Sequence, residues 1–370
     1  MFLKVAHLTS VHQRSDTRIF IKQCSSLTEK YITYLVVADG KGNSKTKDIN
    51  IHDVGSFKSR KNRIINAPKA ILKEALEINA DLYHLHDPEL IPIGLKLKKL
   101  GKTVIFDSHE DVPNQILSKY YLNPFIRRPI SELMRRYEMF ACSKLDAIIA
   151  ATPFIEEKFL KINPNTVNVN NYPIVKEFAS ITHSSENSQK VFYVGSITAV
   201  RGIEEIVDAL NFTQSNASLL LGGSFADNKL EEKVKRMKSW RKVQYLGFIN
   251  RQQIETCLSE SIAGLVVLHP TPSFLESLPV KMFEYMSAGI PVIASDFPLW
   301  KTIINENNCG ICVDPLNPKA IAETIDYFIQ NPSIARQMGE NGRKSVESKY
   351  NWDIEKTKLF NLYARLLARK

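Results

Sequence analysis

Two glutamates, Glu276 and Glu284, frame the stretch ESLPVKMFEYMSAGIPVIA from Glu276 to Ala294. Pro279 suits the first turn of a helix, where its missing N–H costs nothing. Ser277 lies two residues earlier, placed to cap free backbone donors. Met282, Phe283 and Met286 recur at helical spacing. Gly289 stops the helix, Pro291 follows, and Pro291–Ala294 reads as a short buried strand. Glu276 therefore precedes the helix and reaches over its mouth, while Glu284 lines its flank. Lys281, three residues before Glu284, is its neighbour on the helix surface. The helix N-terminus adds free N–H groups and a positive dipole end, an anion site. Two carboxylates that accept from hydroxyls, with an anion site between them, suit a ligand carrying hydroxyls on both sides of a phosphate. A nucleotide-sugar is such a ligand.

Further polar residues stand where strands end. Thr9, Ser10 and His12, then Asp16 and Arg18, follow the first apolar run; His86 and Asp87 follow Asp81–Leu85. Asp107, Ser108, His109, Glu110 and Asp111 follow Thr103–Phe106. Downstream, Gly195-Ser196 follows Val191–Val194, Arg201-Gly202 opens the next helix, Gly222-Gly223 closes Ala217–Leu221, and Gly247-Phe248 follows Val243–Leu246. In open parallel sheets ligands bind beyond the carboxyl ends of strands. Asp16, Arg18, His86 and Asp87 are thus candidates for one ligand, and Gly195, Arg201, Ser277, Leu278, Lys281, Glu284, Gly223 and Phe248 for another. Asp16 and Arg18 also suit a helix start, as cap and ion pair. His84 and His86 share one face of a strand, and His84 reads as a hydrogen-bonded core histidine.

The elements that hold these residues alternate. Strands are expected at Leu3–Leu8, Thr33–Ala38, Asp81–His86, Thr103–Phe106 and Asp146–Ala150, with helices at Arg18–Leu27, Asn66–Ile78 and Pro153–Leu160 and a polar loop over residues 41–48. A second alternating series starts at Val191 and adds strands at Ala263–Leu268 and Gly310–Val313. Such alternation means βαβ units and parallel sheets. The Asn-Pro-rich run 163–173 and the polar run 182–189 read as connection and loop. The expected architecture is α/β: a domain over 1–172, a nucleotide-sugar domain over 173–350, and a helix over 351–370.

Composition is that of a globular chain, 44% hydrophobic and 24% charged over 370 residues. No window approaches a membrane span of roughly 20 apolar residues. Five cysteines, odd in number and mostly in apolar surroundings, imply a reducing, cytoplasmic compartment, and Cys309-Gly-Ile-Cys312 reads as strand entry. The net charge of +10 is uneven: residues 1–175 carry 26 Lys+Arg against 18 Asp+Glu, net +8, and the remainder 23 against 21, net +2. The excess in the first half points to an anionic partner there. No G-x-G-x-x-G follows the first strand, which counts against a dinucleotide oxidoreductase. With no D-x-D motif, no metal and no cofactor are expected, and a leaving diphosphate must be neutralised by Arg201, Lys281 and helix N-termini.

E-x7-E with SLPVK inside and AGIPVIASD after it resembles the donor-site signature of the family-4 retaining glycosyltransferases, which have the GT-B fold: two Rossmann-like domains with parallel sheets facing a central cleft. HLTSVHQRSDTRIF, HLHDPEL, FDSHED and FYVG…RG are similar to members that build bacterial surface polysaccharides such as O-antigen and capsule. The resemblance covers nearly the whole chain, and it implies that the domain over 1–172 binds the acceptor and that the helix over 351–370 crosses back to it. It implies a metal-independent hexosyltransferase that moves a sugar, with retention, from a nucleotide-sugar to a glycan or lipid-linked acceptor. It implies Glu276 on the transferred sugar, Glu284 on ribose hydroxyls, Arg201 on the diphosphate, and His109, in a loop facing the donor sugar, as a catalytic partner of Glu276. Many relatives carry an arginine after the glycine aligned with Gly195; Ser196 stands there, and Lys281 is expected to supply the missing cation. An epimerase on the same fold, or a non-catalytic scaffold protein, stays open, although the presence of Glu276, Glu284 and Arg201 argues against the second.

Residues 119–145 break the rhythm, combining aromatics from Tyr120 and Tyr121 onward with Arg127, Arg128, Arg135 and Arg136. Ile130, Leu133, Met134 and Tyr137 form an apolar stripe that the arginine pairs flank, as an interfacial helix requires. Peripheral docking on the anionic inner leaflet is expected; the competing reading packs the stripe on the domain's own sheet. Nucleic acid is not expected, since no recognition motif accompanies the charge.

Overall fold

The computed structural model describes residues 2–117, 123–178, 181 and 188–368. The chain divides into two compact units, Met1–Asn171 together with Asp353–Lys370, and Tyr172–Trp352.

The first unit is built on an eight-stranded sheet: β1 (Lys4–Leu8), β2 (Ile32–Val37), β3 (Ser44–Thr46), β4 (Ile49–Asp53), β5 (Leu82–Leu85), β6 (Thr103–Ser108), β7 (Ala147–Ala150) and β8 (Thr166–Asn168). Their order is β3-β4-β2-β1-β5-β6-β7-β8, parallel except for β3 against β4. Runs such as Leu82-Tyr-His-Leu85 and Ala147-Ile-Ile-Ala150 are buried throughout, as strands covered on both faces must be. Helices α1 (Thr17–Cys24, a π-helical turn continued by Ser25–Leu27), α2 (Arg60–Ile78) and α3 (Pro124–Cys142) belong to this unit.

The second unit carries β9 (Lys190–Val194), β10 (Ser218–Gly222), β11 (Val243–Gly247), β12 (Ala263–Val266), β13 (Val292–Ser295) and β14 (Gly310–Val313) in the all-parallel order β11-β10-β9-β12-β13-β14. One core on each face holds it: Phe192, Phe283 and Trp300 on one side, Tyr193, Val207 and Phe328 on the other. Helices α4 (Ile203–Ala209), α5 (Val280–Ala288) and α6 (Pro332–Ser348) pack here, and α7 (Trp352–Leu367) closes the chain. In each sheet the first strand is flanked on one side by the second and on the other by a later one, β1 between β2 and β5 and β9 between β10 and β12. Those reversals are where open α/β sheets leave room for a ligand.

Some local expectations are corrected. α2 begins at Arg60 rather than Asn66, because Ser59 caps it by accepting from the Asn62 N–H at 3.1 Å. A short strand, β3, lies inside the expected polar loop 41–48, and β8 lies inside the expected connection 163–173. Most of the polar run 182–189, and Tyr120 and Tyr121, lie outside the described residues. Among the described residues no helix is long and apolar enough to cross a membrane.

Candidate functional site

In the second unit the carboxyl end of β9 gathers cations. Gly195 holds a φ of +133°, and its N–H donates to Gly222 O at 3.0 Å. Gly223 must stay bare as well, because a Cβ there would stand 1.8 Å from the Gly195 carbonyl oxygen. A Cβ at Gly195 would meet only Arg201 Nη1 at 3.6 Å and Lys281 Nζ at 3.7 Å. Two cationic side chains from different elements therefore converge on one bare backbone position. The Lys281 ammonium is buried, lies 3.6 Å from the Tyr193 ring centroid, and has no hydrogen-bond partner among the described residues. Burial, and then the Arg201 charge, push its pKa well below the usual lysine value. Burial also pushes the Tyr193 hydroxyl up to about 12, so the ring beneath the ammonium stays neutral.

Around this point the expected donor residues differ in how committed they are. Glu276 is exposed and makes no hydrogen bond or ion pair among the described residues. Glu284 is buried, and its Oε1 accepts from Arg251 Nη1 at 2.7 Å; Arg251 also pairs with Glu177. Arg251 is a site residue that sequence reasoning passed over; its signal was its place at the start of the helix after Gly247-Phe248. The Ser277 hydroxyl does not cap α5 as expected: it donates to Phe274 O at 2.9 Å, and no side chain caps that helix. Leu278 is half-buried against the core, whereas Phe248 is 85% exposed.

In the first unit the expected acceptor residues are mostly spent on structure. Arg18 is corrected: its guanidinium is buried, donating to Asp107 Oδ1 at 2.7 Å, to Asp107 Oδ2 at 3.1 Å and to Val169 O at 2.9 Å. Asp87 is corrected likewise, because its buried carboxylate staples the loop after β1, accepting from the Thr9 hydroxyl at 2.8 Å and the Ser10 N–H at 2.6 Å. Asp16 caps α1, accepting from the Arg18 and Ile19 N–H groups at 2.9 Å, and pairs with His12 at 3.2 Å. Burial opposes its charge, but His12 and the backbone donors outweigh that and hold the carboxyl below the usual range. His86 is corrected too: it is buried, with both ring nitrogens engaged by other histidines.

His86 belongs to an array. His7 faces His84 in register across β1 and β5. His7 Nδ1 lies 2.8 Å from His86 Nε2, and His86 Nδ1 lies 3.3 Å from His109 Nε2. The Tyr363 hydroxyl of α7 bridges His84 Nδ1 at 2.8 Å and His7 Nε2 at 3.1 Å, so His84 is the core histidine expected. Asp107 Oδ2 stands 3.6 Å from His84 Nε2 and 3.4 Å from His109 Nε2. Nitrogens of His7, His84 and His86 lie within 4.8 Å of one another, as do ligand atoms of His86, Asp107 and His109. They are near enough to hold a metal ion, but most are hydrogen-bonded within the array. His109 alone of the array is partly open, its side chain 19% exposed.

Two α/β units thus place polar residues at the carboxyl edges of their parallel strands, the architecture of two-domain nucleotide-binding enzymes. Residues 175–345 match the model described as glycosyl transferases group 1, and residues 20–169 match glycosyltransferase family 4. The chain belongs to the family-4 glycosyltransferases of the GT-B fold. An uncharacterized glycosyltransferase of Methanocaldococcus jannaschii is 26% identical over 302 residues, which are 76% of this chain and 75% of that one. Among solved structures, sucrose-phosphate synthase from Thermosynechococcus elongatus matches with a TM-score of 0.81 at 18% identity, covering 100% of both chains. Anabaena HepE, solved with UDP-glucose, matches with a TM-score of 0.75 at 14% identity, over 98% of this chain and 100% of that one.

Proposed function

We propose that the protein transfers a hexose from a nucleotide-sugar to a glycan or lipid-linked saccharide acceptor, with retention at the anomeric carbon and without a metal ion, in the building of a surface polysaccharide. The observation that carries the donor reading is the buried Lys281 amine, without a hydrogen-bond partner among the described residues, beside Arg201 at Gly195. A buried cation lacking a partner is costly, and a diphosphate seated there would supply one. Glu276, exposed and unpaired, takes hydroxyls of the transferred sugar. Glu284 takes ribose hydroxyls through the oxygen that Arg251 leaves free. The first unit takes the acceptor, with His109 on the sugar. In the step itself the bond from the anomeric carbon to the leaving phosphate breaks, the acceptor oxygen bonds to that carbon on the same face, and its proton passes to the departing phosphate oxygen. The HepE complex with UDP-glucose supports a UDP-sugar as the first donor to try.

Calorimetry with nucleoside diphosphates in a chelator tests the reading. Wild type is expected to bind one of them. A charge-assisted hydrogen bond is worth about 1.5–3 kcal/mol, so Glu284→Gln should weaken that binding roughly ten- to a hundredfold. Glu276→Gln should leave diphosphate affinity intact and lower turnover with the sugar-bearing donor. Diphosphate binding by Glu284→Gln at wild-type strength would refute the ribose assignment, and epimerisation of the nucleotide-sugar without any acceptor would replace transfer as the activity.

The reading includes docking of the first unit on an anionic membrane surface. α3 buries Ala141 and Cys142 in the core and packs Tyr137 against it, yet leaves Phe125 89% and Leu133 69% exposed, together with Ile130, Met139 and Phe140. The expected stripe is thus split, with Tyr137 inward and Ile130 and Leu133 outward. Glu132 pairs with Arg135 and Arg136, so an acidic side chain lies among the cations of this face. Each cation near such a surface contributes about 1 kcal/mol. Wild type is expected to pellet with phosphatidylserine-containing vesicles and to be released by salt, while a variant with Arg127, Arg128, Arg135 and Arg136 changed to Ser stays in the supernatant. Equal pelleting of the two proteins would refute the dock.

A further inference from the structure

The histidine array has a direction. A neutral imidazole carries one N–H and one lone pair, and a phenol carries one hydrogen, so each member that donates on one side must accept on the other. Burial is the largest influence on His7, His84 and His86 and lowers all three pKa values, so these rings are neutral. Asp107 is anionic: burial works against its charge, but the Arg18 guanidinium outweighs that and holds its carboxyl well below the usual range. It can therefore only accept.

His84 Nε2 settles the first link. It is buried, has no hydrogen-bond partner among the described residues, and faces Asp107 Oδ2 at 3.6 Å. A lone pair there would oppose a carboxylate in a dry interior, so the proton sits on Nε2. Nδ1 of His84 then accepts from the Tyr363 hydroxyl, Tyr363 accepts from His7 Nε2–H, and His7 Nδ1 accepts from His86 Nε2–H. Finally, His86 Nδ1 accepts from His109 Nε2–H, which also points at Asp107 Oδ2 at 3.4 Å. The opposite polarity would direct only the His86 Nδ1–H at that carboxylate, at 3.6 Å, and would turn the lone pairs of His84 and His109 toward it.

We propose that the buried chain Asp107–His84–Tyr363–His7–His86 locks His109 as its Nε2–H tautomer, so that Nδ1 is presented as a hydrogen-bond acceptor for a ligand hydroxyl. Tyr363, on the last helix of the chain, is the positioning residue that couples His84 to His7. The lock deepens the donor reading above, and its value to catalysis rests on His109 facing a ligand. It also sets a specificity: the group opposite Nδ1 must be a donor, which a sugar hydroxyl is and a phosphate oxygen or carbonyl is not.

The test needs no ligand, so it stands or fails apart from the donor reading. Long-range proton–nitrogen spectra of protein labelled with ¹⁵N-histidine distinguish the two neutral tautomers, with signals assigned by single His→Gln variants. His7, His84, His86 and His109 are all expected as Nε2–H. Tyr363→Phe, checked for folding by its circular dichroism, breaks the relay and is expected to turn His7 into a mixture of tautomers, which a merely structural tyrosine would not do. An Nδ1–H form at any of the four rings in wild type would overturn the proposal, as would an unchanged His7 in folded Tyr363→Phe. Loss of the His7 and His86 N–H signals on addition of zinc chloride would likewise overturn it, showing an ion site instead.

Discussion

Changing Arg201 to Ala together with Lys281 to Met is expected to weaken nucleoside diphosphate binding by roughly a hundred- to ten-thousandfold, each lost charge-assisted bond contributing about 1.5–3 kcal/mol. The two cations reach the diphosphate by different physics. Arg201 is half-exposed at the end of its loop, whereas the Lys281 ammonium is buried and unpartnered. Lys281→Met alone should therefore weaken diphosphate binding yet raise the melting temperature of the free protein, because it removes a desolvated amine that has no hydrogen-bond partner among the described residues. The sign with pH follows. The folded free protein holds Lys281 below its usual 10.5. Between that lowered value and 10.5 the unfolded chain binds more protons, so stability rises with pH across this window in wild type and does so less in Lys281→Met. An anion brought against Nζ raises its pKa again, so diphosphate binding should take up protons. Calorimetry in buffers of differing ionisation enthalpy measures that uptake. Wild-type affinity and an unchanged proton count in Lys281→Met would remove this residue from the site.

How much of this was visible in the chain alone depended on distance along it. The apolar runs of β5, β6, β7, β9, β10, β12 and β13 announced themselves, because strands buried on both faces are nearly uniform in hydropathy. β8 did not: Thr166-Val-Asn168 is a three-residue edge strand in an asparagine-rich run, and only pairing with β7 makes it a strand. The unit around Glu276 and Glu284 was legible because loop, helix, stop and strand follow one another within nineteen residues. That Lys281 turns inward was expected on different grounds, from the serine at 196. Its burial over Tyr193 is a tertiary fact that helical spacing does not carry. Arg18 follows the same rule. The ion pair expected of it is made with Asp107, 89 residues away, a partner that the helix-start pattern around Asp16 does not announce. The pairing of His84 and His86 on one strand face was readable from period two. His7 in register across the sheet, and Tyr363 from 279 residues beyond His84, were not. Arg251 was hidden by its ordinary position at a helix start.

Asp107→Asn is expected to be the most destabilising single change in the first unit. Its carboxylate is fully buried and receives Arg18 through both oxygens, Gln23 Nε2 at 2.8 Å, and the N–H groups of His84 and His109 at longer range. An amide of the same size removes the charge and leaves the Arg18 cation buried with only Val169 O and a neutral oxygen. Breaking a buried pair in this way costs about 3–5 kcal/mol. Replacing both partners, as Arg18→Met with Asp107→Leu, leaves no stranded charge. The double variant should therefore be more stable than either single one, a coupling that a double-mutant cycle reads directly. Acid tests the same point. Because the folded carboxyl lies well below the 3.8 of an exposed aspartate, its contribution is complete above that value and disappears as pH falls through the folded pKa. Wild type should lose more stability on acidification than Asp107→Asn, which has already lost this term. Urea unfolding followed by circular dichroism measures both effects, with the two units fitted as separate transitions if they do not unfold together. A cost below about 1 kcal/mol for Asp107→Asn, within the range of exposed pairs, would mean that water reaches Arg18 and that the dry interior on which the histidine relay depends does not exist.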